Sequence, residues 1–174
     1  MGFSSKKSAL SFSLRSLLAV VVLTSLCLYV APYYTWKKSK AIAALEGCGA
    51  SISYDYEWAE NGGYIPDAKN PGSPMLRLLL GKHYGANPVR VELFECSEMT
   101  PEKFTDEHAK YLVALDKLDW LVLMDTSLTD EGLEHLRGLT HLGRLDLDGS
   151  KVTQEGVERL RRWLPDTDIY FEED

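Results

Sequence analysis

The stretch that decides the fold is Leu118-Asp-Trp-Leu121-Val-Leu123, which recurs as Leu142-Gly-Arg-Leu145-Asp-Leu147 at an offset of 24 residues. The same offset places Thr129, Glu131 and Gly132 on Thr153, Glu155 and Gly156, and it matches Phe104-Thr-Asp-Glu with Leu128-Thr-Asp-Glu. In each unit the L-x-L triplet alternates with a period of two, which predicts a half-buried strand. The following Thr-Asp-Glu supplies a capping hydroxyl and first-turn acids, which predict a helix. Such units bury their apolar faces only by stacking, so the repeat predicts a short solenoid.

The residues before the second repeat strand predict one further strand and a cap. Val89–Leu93 precedes Leu118–Leu123 by about 30 residues instead of 24, which indicates a six-residue insertion within Glu95–Lys103. Upstream, the sequence predicts a helix at Lys38–Leu45, a strand at Ser51–Trp58, a glycine- and proline-rich loop, and a short helix at Met75–Leu80. We expect this αβ segment to cover the open end of the solenoid, because an uncapped stack exposes core and a strand edge.

The amino-terminal segment is expected to be a membrane anchor. Ser16–Val30 contains no charge, and four aromatic residues lie between Tyr29 and Trp36, as in segments that end at a lipid–water interface. Fifteen helical residues rise only about 22 Å, so a span across a core of roughly 30 Å must use the flanking residues. A cleaved signal peptide is the alternative, but cleavage after Ala31 would place Tyr29 at −3 and Pro32 at +1. We therefore expect a single-pass protein with its carboxyl-terminal domain outside the cytoplasm.

Charged residues are unevenly distributed between the predicted anchor and the rest of the chain. The first 40 residues hold six of the 19 basic residues and no acid, so the remainder carries a net formal charge of −13. Such an acidic body disfavours nucleic acid as a partner. Of the three cysteines, only Cys48 and Cys96 lie outside the apolar segment. Their spacing matches no metal motif, and whether they form a disulfide is left open.

The stretch Leu115–Leu139 resembles leucine-rich repeats of the 24-residue kind, with the motif Leu128-Thr-Asp-Glu-Gly-Leu133, that F-box-associated and bacterial proteins share. The whole layout is similar to a group of bacterial membrane-anchored proteins with Phe12–Leu18 in the anchor, Ala41–Trp58 before the repeats, and repeats at the end. The resemblance implies an α/β leucine-rich-repeat solenoid, with parallel strands on one face and helices on the other, but it implies no activity. No F-box precedes the repeats, so a ubiquitin-ligase role does not follow.

The resulting domain boundaries divide the chain into four parts. Residues 1–11 are expected to be a cytoplasmic tail, 12–36 the transmembrane anchor, 37–88 a juxtamembrane helix with the αβ cap, and 89–174 the leucine-rich repeats.

Reactive side chains are scattered along the sequence and do not indicate an active site. The four histidines, at positions 83, 108, 135 and 141, share no metal or catalytic spacing. The carboxylates of Asp55, Glu57 and Glu60 could serve a glycosidase, but charged residues on an edge strand more often prevent edge pairing. We expect no enzyme, no cofactor and no metal.

Side chains between the buried leucines are expected on the concave face of the sheet, in three rows. The rows are Arg90, Trp120, Arg144 and Asp168; then Glu92, Val122, Asp146 and Tyr170; then Phe94, Met124, Asp148 and Glu172. Trp120, Val122 and Met124 place apolar groups where polar ones are usual, which is typical of an interface core with a charged rim. The alternative is that the loop upstream folds over this patch and buries it.

These observations favour a non-enzymatic scaffold that binds a protein partner. The residues predicted to contact it are Arg90, Glu92, Phe94, Trp120, Val122, Met124, Arg144, Asp146, Asp148 and Tyr170. The alternatives are a carboxylate-based hydrolase or glycan-processing enzyme, and a self-association module whose solenoid ends stack.

Overall fold

The computed structural model describes residues 14–59, 61–94 and 104–172. The chain divides into two compact units, Met1–Tyr34 and Thr35–Asp174. The helices are α1 (Leu14–Gly47), α2 (Pro74–Leu80), α3 (Asp106–Leu112), α4 (Asp130–Leu136) and α5 (Gln154–Trp163). The strands are β1 (Ser51–Tyr54), β2 (Pro88–Phe94), β3 (Trp120–Met124), β4 (Arg144–Asp146) and β5 (Asp168–Tyr170), and Asp55–Glu57 form a 3-10 turn.

The prediction of a transmembrane anchor at residues 12–36 is wrong. Within the described residues, no helix combines the length and the apolar content that a bilayer crossing requires. The physical reason lies in the uncharged run Ser16–Val30, which rises about 22 Å, less than a hydrocarbon core of roughly 30 Å. Three further predictions depended on the anchor and are wrong for the same reason. They are the membrane as a partner, the single-pass localisation, and the transmembrane helix in the fold class. The tail predicted at 1–11 lies outside the described residues.

The second unit is an α/β structure with a five-stranded, mostly parallel sheet. The strands follow the order of the sequence, β1-β2-β3-β4-β5. Strands β2 to β5 are parallel, and Leu121 pairs with Leu145, which pairs with Ile169, so both steps equal the 24-residue offset. Val91 pairs with Leu121, which gives the 30-residue step predicted from the sequence. The insertion assigned to Glu95–Lys103 lies outside the described residues.

One face of the sheet packs against the helices and forms the core. The alternating leucines Leu121, Leu123, Leu145 and Leu147 are fully buried, as the predicted register requires. Helices α3, α4 and α5 each add an inward pair three residues apart, such as Leu133 and Leu136 in α4. The end of α1 contributes Ala41, Ile42 and Leu45 to the same cluster. Burying one such side chain contributes about 1.5–3 kcal/mol, so this shared core is the main source of stability.

The segment before β2 covers the first edge of the sheet. Strand β1 pairs antiparallel with β2, with Ile52 opposite Val91. The strand predicted at Ser51–Trp58 is therefore shorter than expected, because a 3-10 turn replaces its second half. The pairing satisfies backbone groups that an open edge would present to solvent.

Aspartates link successive repeats through hydrogen bonds. Asp106, in the first turn of α3, accepts the backbone N–H of Thr129 at 2.8 Å and its hydroxyl at 2.7 Å. Asp130, the equivalent residue of α4, accepts the N–H and the hydroxyl of Thr153, both at 2.8 Å. Each threonine is the N-cap of its own helix. Each aspartate therefore holds the cap of the next helix in place.

Two glycines make room for these carboxylates. A Cβ added to Gly156 would lie 2.2 Å from Oδ1 of Asp130, and one added to Gly132 would lie 2.4 Å from Oδ1 of Asp106. Side chains are not tolerated at such distances without displacing the carboxylate. The glycine of the repeat motif thus permits the aspartate of the preceding repeat to reach its threonine.

Replacing Asp130 by alanine is expected to lower the free energy of unfolding by about 1–3 kcal/mol. The change removes both acceptors of Thr153 and the contact at 3.2 Å with Nη2 of Arg159. Urea unfolding followed by circular dichroism measures the loss. Glu134→Ala, on the exposed surface of the same helix, is the control and is expected to change stability by less than about 0.5 kcal/mol. Equal effects of the two substitutions would contradict the role assigned to Asp130.

Candidate binding face

The residues predicted to form three rows lie side by side on the sheet. Pairing aligns Arg90, Trp120, Arg144 and Asp168, and next to them Glu92, Val122, Asp146 and Tyr170. In the third row Phe94 pairs with Met124. Asp148 and Glu172 lie beyond the ends of β4 and β5, yet the N–H of Glu172 donates to Oδ1 of Asp148 at 2.9 Å. We call the surface formed by these twelve residues the strand face.

Alternating rings and guanidinium groups cross the strand face as a continuous stack. The guanidinium carbon of Arg90 lies 4.4 Å from the ring centroid of Trp58 and 3.8 Å from that of Trp120. The guanidinium carbon of Arg144 lies 4.6 Å from the centroid of Trp120 and 4.2 Å from that of Tyr170. Each such contact contributes about 0.5–2 kcal/mol, depending on its exposure. The stack therefore holds five long side chains in fixed positions across the sheet.

The two arginines of the stack lie near carboxylates without forming hydrogen bonds to them. Arg90 lies 3.7 Å from Glu92, and Arg144 lies 3.8 Å from Asp146. These N···O distances exceed those of hydrogen bonds, and such partly exposed pairs contribute about 1 kcal/mol or less. Among the described residues, neither guanidinium has a hydrogen-bond acceptor. Within the described residues, the two guanidinium groups are thus held by their ring contacts and not by hydrogen bonds.

At the centre of the strand face, the side chains are less exposed than the sequence predicts. Val122 is only 5% exposed, so the expectation that it faces solvent is corrected. Its short side chain lies in register between the longer side chains of Glu92 and Asp146. Trp120 and Met124 are partly buried, whereas Phe94 is 48% and Tyr170 45% exposed. The most exposed apolar side chains of the strand face are therefore those of Phe94 and Tyr170.

The segment before β2 covers one end of the strand face. Trp58 packs on Arg90, and its ring meets the edge of Tyr64 at a centroid distance of 5.7 Å. Trp58, Gly62 and Arg90 line a cavity of about 360 Å³ together with Val89, Asp119 and Trp120. Trp58 and Gly62 therefore lie against the end of the strand face that carries Arg90.

Three N–H groups of the stack are buried without an acceptor in the described part of the chain. They are Nε1 of Trp58, Nε1 of Trp120 and Nε of Arg144. Leaving such a donor unpaired costs about 1–3 kcal/mol, and native proteins contain few of them.

The carboxylates considered for a hydrolase have structural partners. Asp55 accepts the N–H of Asn87 at 3.1 Å and its amide Nδ2 at 2.8 Å. Glu57 accepts the N–H of Tyr54 at 2.8 Å. Glu60 lies outside the described residues. Two of the three carboxylates are therefore used to hold the turn after β1.

The histidines do not converge. Nδ1 of His108 receives the N–H of Thr105 at 3.2 Å at the start of α3, and His135 and His141 are exposed. Nδ1 of His83 lies 3.0 Å from the hydroxyl of Tyr54. In the described residues, no three potential ligands are grouped so that they could hold a metal ion.

His83 and Tyr54 have shifted pKa values because they are partly buried. Burial, followed by the charge of Lys82, lowers the pKa of the His83 imidazole from 6.5. Burial, followed by the charge of Glu46, raises the pKa of the Tyr54 phenol to about 12. At neutral pH both side chains are uncharged, and their contact is an uncharged hydrogen bond.

Stability is expected to fall as pH drops below about 6.5 because of His83. The unfolded chain binds a proton at its ordinary pKa near 6.5, whereas the folded chain resists protonation until a lower pH. The His83 contribution is thus fully present above 6.5 and is lost as pH falls towards the folded-state pKa. Urea midpoints of the wild type and His83→Gln at pH 7.5 and 5.5 test this. The variant is expected to lose less on acidification, and an equal loss would contradict the assignment.

Trp58 is the part of the stack that sequence reasoning missed. Its position was assigned to a strand of the cap, and no periodicity connects residue 58 with residue 90. The density of aromatic residues in Ser51–Trp58 is the only signal that could have drawn attention to it.

Comparison with known proteins does not assign a family to this chain. No protein-family model matches the chain, and no curated protein matches it.

Proposed function

We propose that this chain is a non-enzymatic binding module of leucine-rich repeats, and that a protein partner docks on the strand face. The observation that carries the proposal is the stack from Trp58 to Tyr170. It fixes long side chains in place before any partner arrives, which lowers the conformational entropy lost on binding. Tryptophan, tyrosine and arginine are also the residue types that most often dominate binding energy at protein interfaces.

A carboxylate-based hydrolase is the less supported alternative. Asp55 accepts the backbone and side-chain N–H groups of Asn87, and Glu57 accepts the N–H of Tyr54, so their oxygens serve the fold. A catalytic pair would need carboxylates that face a cleft and remain available to a substrate.

Self-association through the sheet edge is also less supported. Strand β5 is three residues long, and the carbonyl of Ile169 accepts Nη2 of Arg161 at 3.3 Å. Short edge strands with a covered carbonyl are poor templates for pairing with another chain.

Site-specific photocrosslinking in living cells tests the proposed function. A photoreactive phenylalanine is placed at position 94 on the strand face or, as the matched control, at position 113. Phe94 and Val113 are similarly exposed, at 48% and 44%, and Val113 follows helix α3. We expect a discrete crosslinked protein from position 94 and none from position 113. The same products from both positions, or no product from position 94, would contradict docking on the strand face.

A further inference from the structure

Acidic side chains outnumber basic ones on the strand face. Its twelve residues include two arginines, Arg90 and Arg144, and five carboxylates, so its net formal charge is −3. The carboxylates are those of Glu92, Asp146, Asp148, Asp168 and Glu172. A surface of this sign attracts a partner that carries lysine or arginine and repels an acidic one.

The positive charges of the strand face are already matched within the protein. Arg90 lies 3.7 Å from the carboxylate of Glu92, and Arg144 lies 3.8 Å from that of Asp146. Both guanidinium groups are also held between aromatic rings of the stack. Each arginine therefore offsets the charge of one carboxylate on its own strand. The remaining carboxylates determine the charge that a partner meets.

These remaining carboxylates are Asp148, Asp168 and Glu172. In the described part of the chain, no lysine or arginine forms an ion pair with any of them. Asp168 and Glu172 are exposed, and Asp148 is partly buried. Because the N–H of Glu172 donates to Oδ1 of Asp148 at 2.9 Å, these two residues are adjacent. They form an acidic end of the third row, which consists of Phe94, Met124, Asp148 and Glu172.

The other end of the third row is apolar. Phe94 is 48% exposed and pairs in register with Met124 on the neighbouring strand. The row runs from β2 to β5 across neighbouring strands that are about 4.8 Å apart, so its ends are separated by roughly 14 Å. An extended peptide rises about 3.4 Å per residue and points alternate side chains to the same side. The first, third and fifth side chains of such a peptide therefore face one way and span the third row.

We propose that the protein partner, whose docking on the strand face is proposed above and is a premise here, lays an extended basic segment along the third row. An apolar side chain of this segment contacts Phe94 and Met124. Lysine or arginine side chains two and four residues away contact the carboxylates of Asp148 and Glu172. An acidic segment in the same position would bring like charges together, which disfavours binding.

Titration of the full chain with the peptide N-acetyl-Leu-Ala-Lys-Ala-Lys-amide, followed by ¹⁵N–¹H NMR of the backbone amides, tests the proposal. We expect the signals of Phe94, Met124 and Glu172 to shift, with a dissociation constant on the order of millimolar. The signal of Leu133, buried in α4, is the internal reference and should not move. The uncharged peptide N-acetyl-Leu-Ala-Gln-Ala-Gln-amide should bind about fivefold more weakly or less tightly still.

Removing two charges from the acidic end identifies the contact. Asp148→Asn with Glu172→Gln keeps the size of both side chains and the oxygen that accepts the N–H of residue 172. This double variant should bind the lysine peptide about fivefold more weakly. The control, Asp116→Asn with Glu134→Gln, removes the same charge from exposed positions outside the strand face and should change binding by less than about twofold.

If the double variant does not fold, Glu172→Gln alone keeps the test possible, because residue 172 is exposed. It should weaken binding of the lysine peptide about threefold, and Glu134→Gln alone is then the control.

Three results would overturn the proposal: no shift along the third row, equal binding of the lysine and glutamine peptides, or equal weakening by the strand-face and control variants. The last result would show attraction to the overall negative charge of the chain instead of to the third row. Failure of the proposed function is a separate outcome. If the peptides fail while position 94 still crosslinks a discrete protein, the strand face remains a docking surface and only the basic segment is refuted. If position 94 gives no product, docking on the strand face fails whatever the peptides do.

Discussion

Replacing Leu123 by alanine is expected to lower the free energy of unfolding by about 2–5 kcal/mol. Leu123 is fully buried in β3, the central strand of the five, and pairs in register with Leu93. The substitution removes the transfer free energy of the side chain and leaves a cavity that the two neighbouring strands cannot close. Chemical unfolding in urea, followed by far-UV circular dichroism, measures the difference.

The matched control for this prediction is Val113→Ala. Val113 is 44% exposed, so its truncation is expected to change stability by less than about 0.5 kcal/mol. Alternation along β3 alone would make Val122→Ala the natural mild control. That choice is unsuitable because Val122 is itself 5% exposed. If Leu123→Ala were as mild as Val113→Ala, the strand register would be wrong by one residue.

The register of the parallel sheet was predictable from the sequence because the repeat determines it. Parallel neighbours in a stack of equal units pair at the repeat length, so Leu121 had to face Leu145. The period of two then determined which side chains enter the core and which lie on the strand face. The 30-residue step between Val91 and Leu121 followed from the same comparison of units.

The contacts between repeats were not predictable in the same way. The sequence indicated that Thr129 and Asp130 cap their own helix, and Thr129 does accept the N–H of Glu131 at 3.3 Å. It gave no sign that Asp106 would bond Thr129, because a local motif does not specify partners 23 residues away. Trp58 was missed for a similar reason, since antiparallel pairing of β1 with β2 leaves no periodic signal.

The apolar character of the amino-terminal segment wrongly predicted a transmembrane helix. An uncharged run of 15 residues was extended with its flanks until it reached the length of a bilayer, whereas no described helix meets both the length and the apolar requirement. An apolar run that is shorter than the hydrocarbon core does not by itself indicate a span.

Removing both exposed apolar groups of the strand face, as Phe94→Ala with Tyr170→Ala, is expected to abolish partner capture with little effect on folding. Phe94 and Tyr170 are about half exposed, so they contribute little to the core. Tyr170 contacts Arg144 at the end of the stack, and losing that contact should cost about 1 kcal/mol or less. Truncating an aromatic anchor of an interface costs about 2 kcal/mol or more of binding free energy, about 30-fold in affinity.

The most direct test of the strand face as a binding surface is the affinity of the double variant for the protein crosslinked at position 94. Calorimetric titration gives the dissociation constant, and the urea midpoint is measured on the same preparation. We predict an affinity at least about 30-fold weaker than that of the wild type, with a urea midpoint close to the wild-type value and with Val113→Ala unchanged in both. An affinity within twofold of the wild type, in a chain that is folded, would contradict the account.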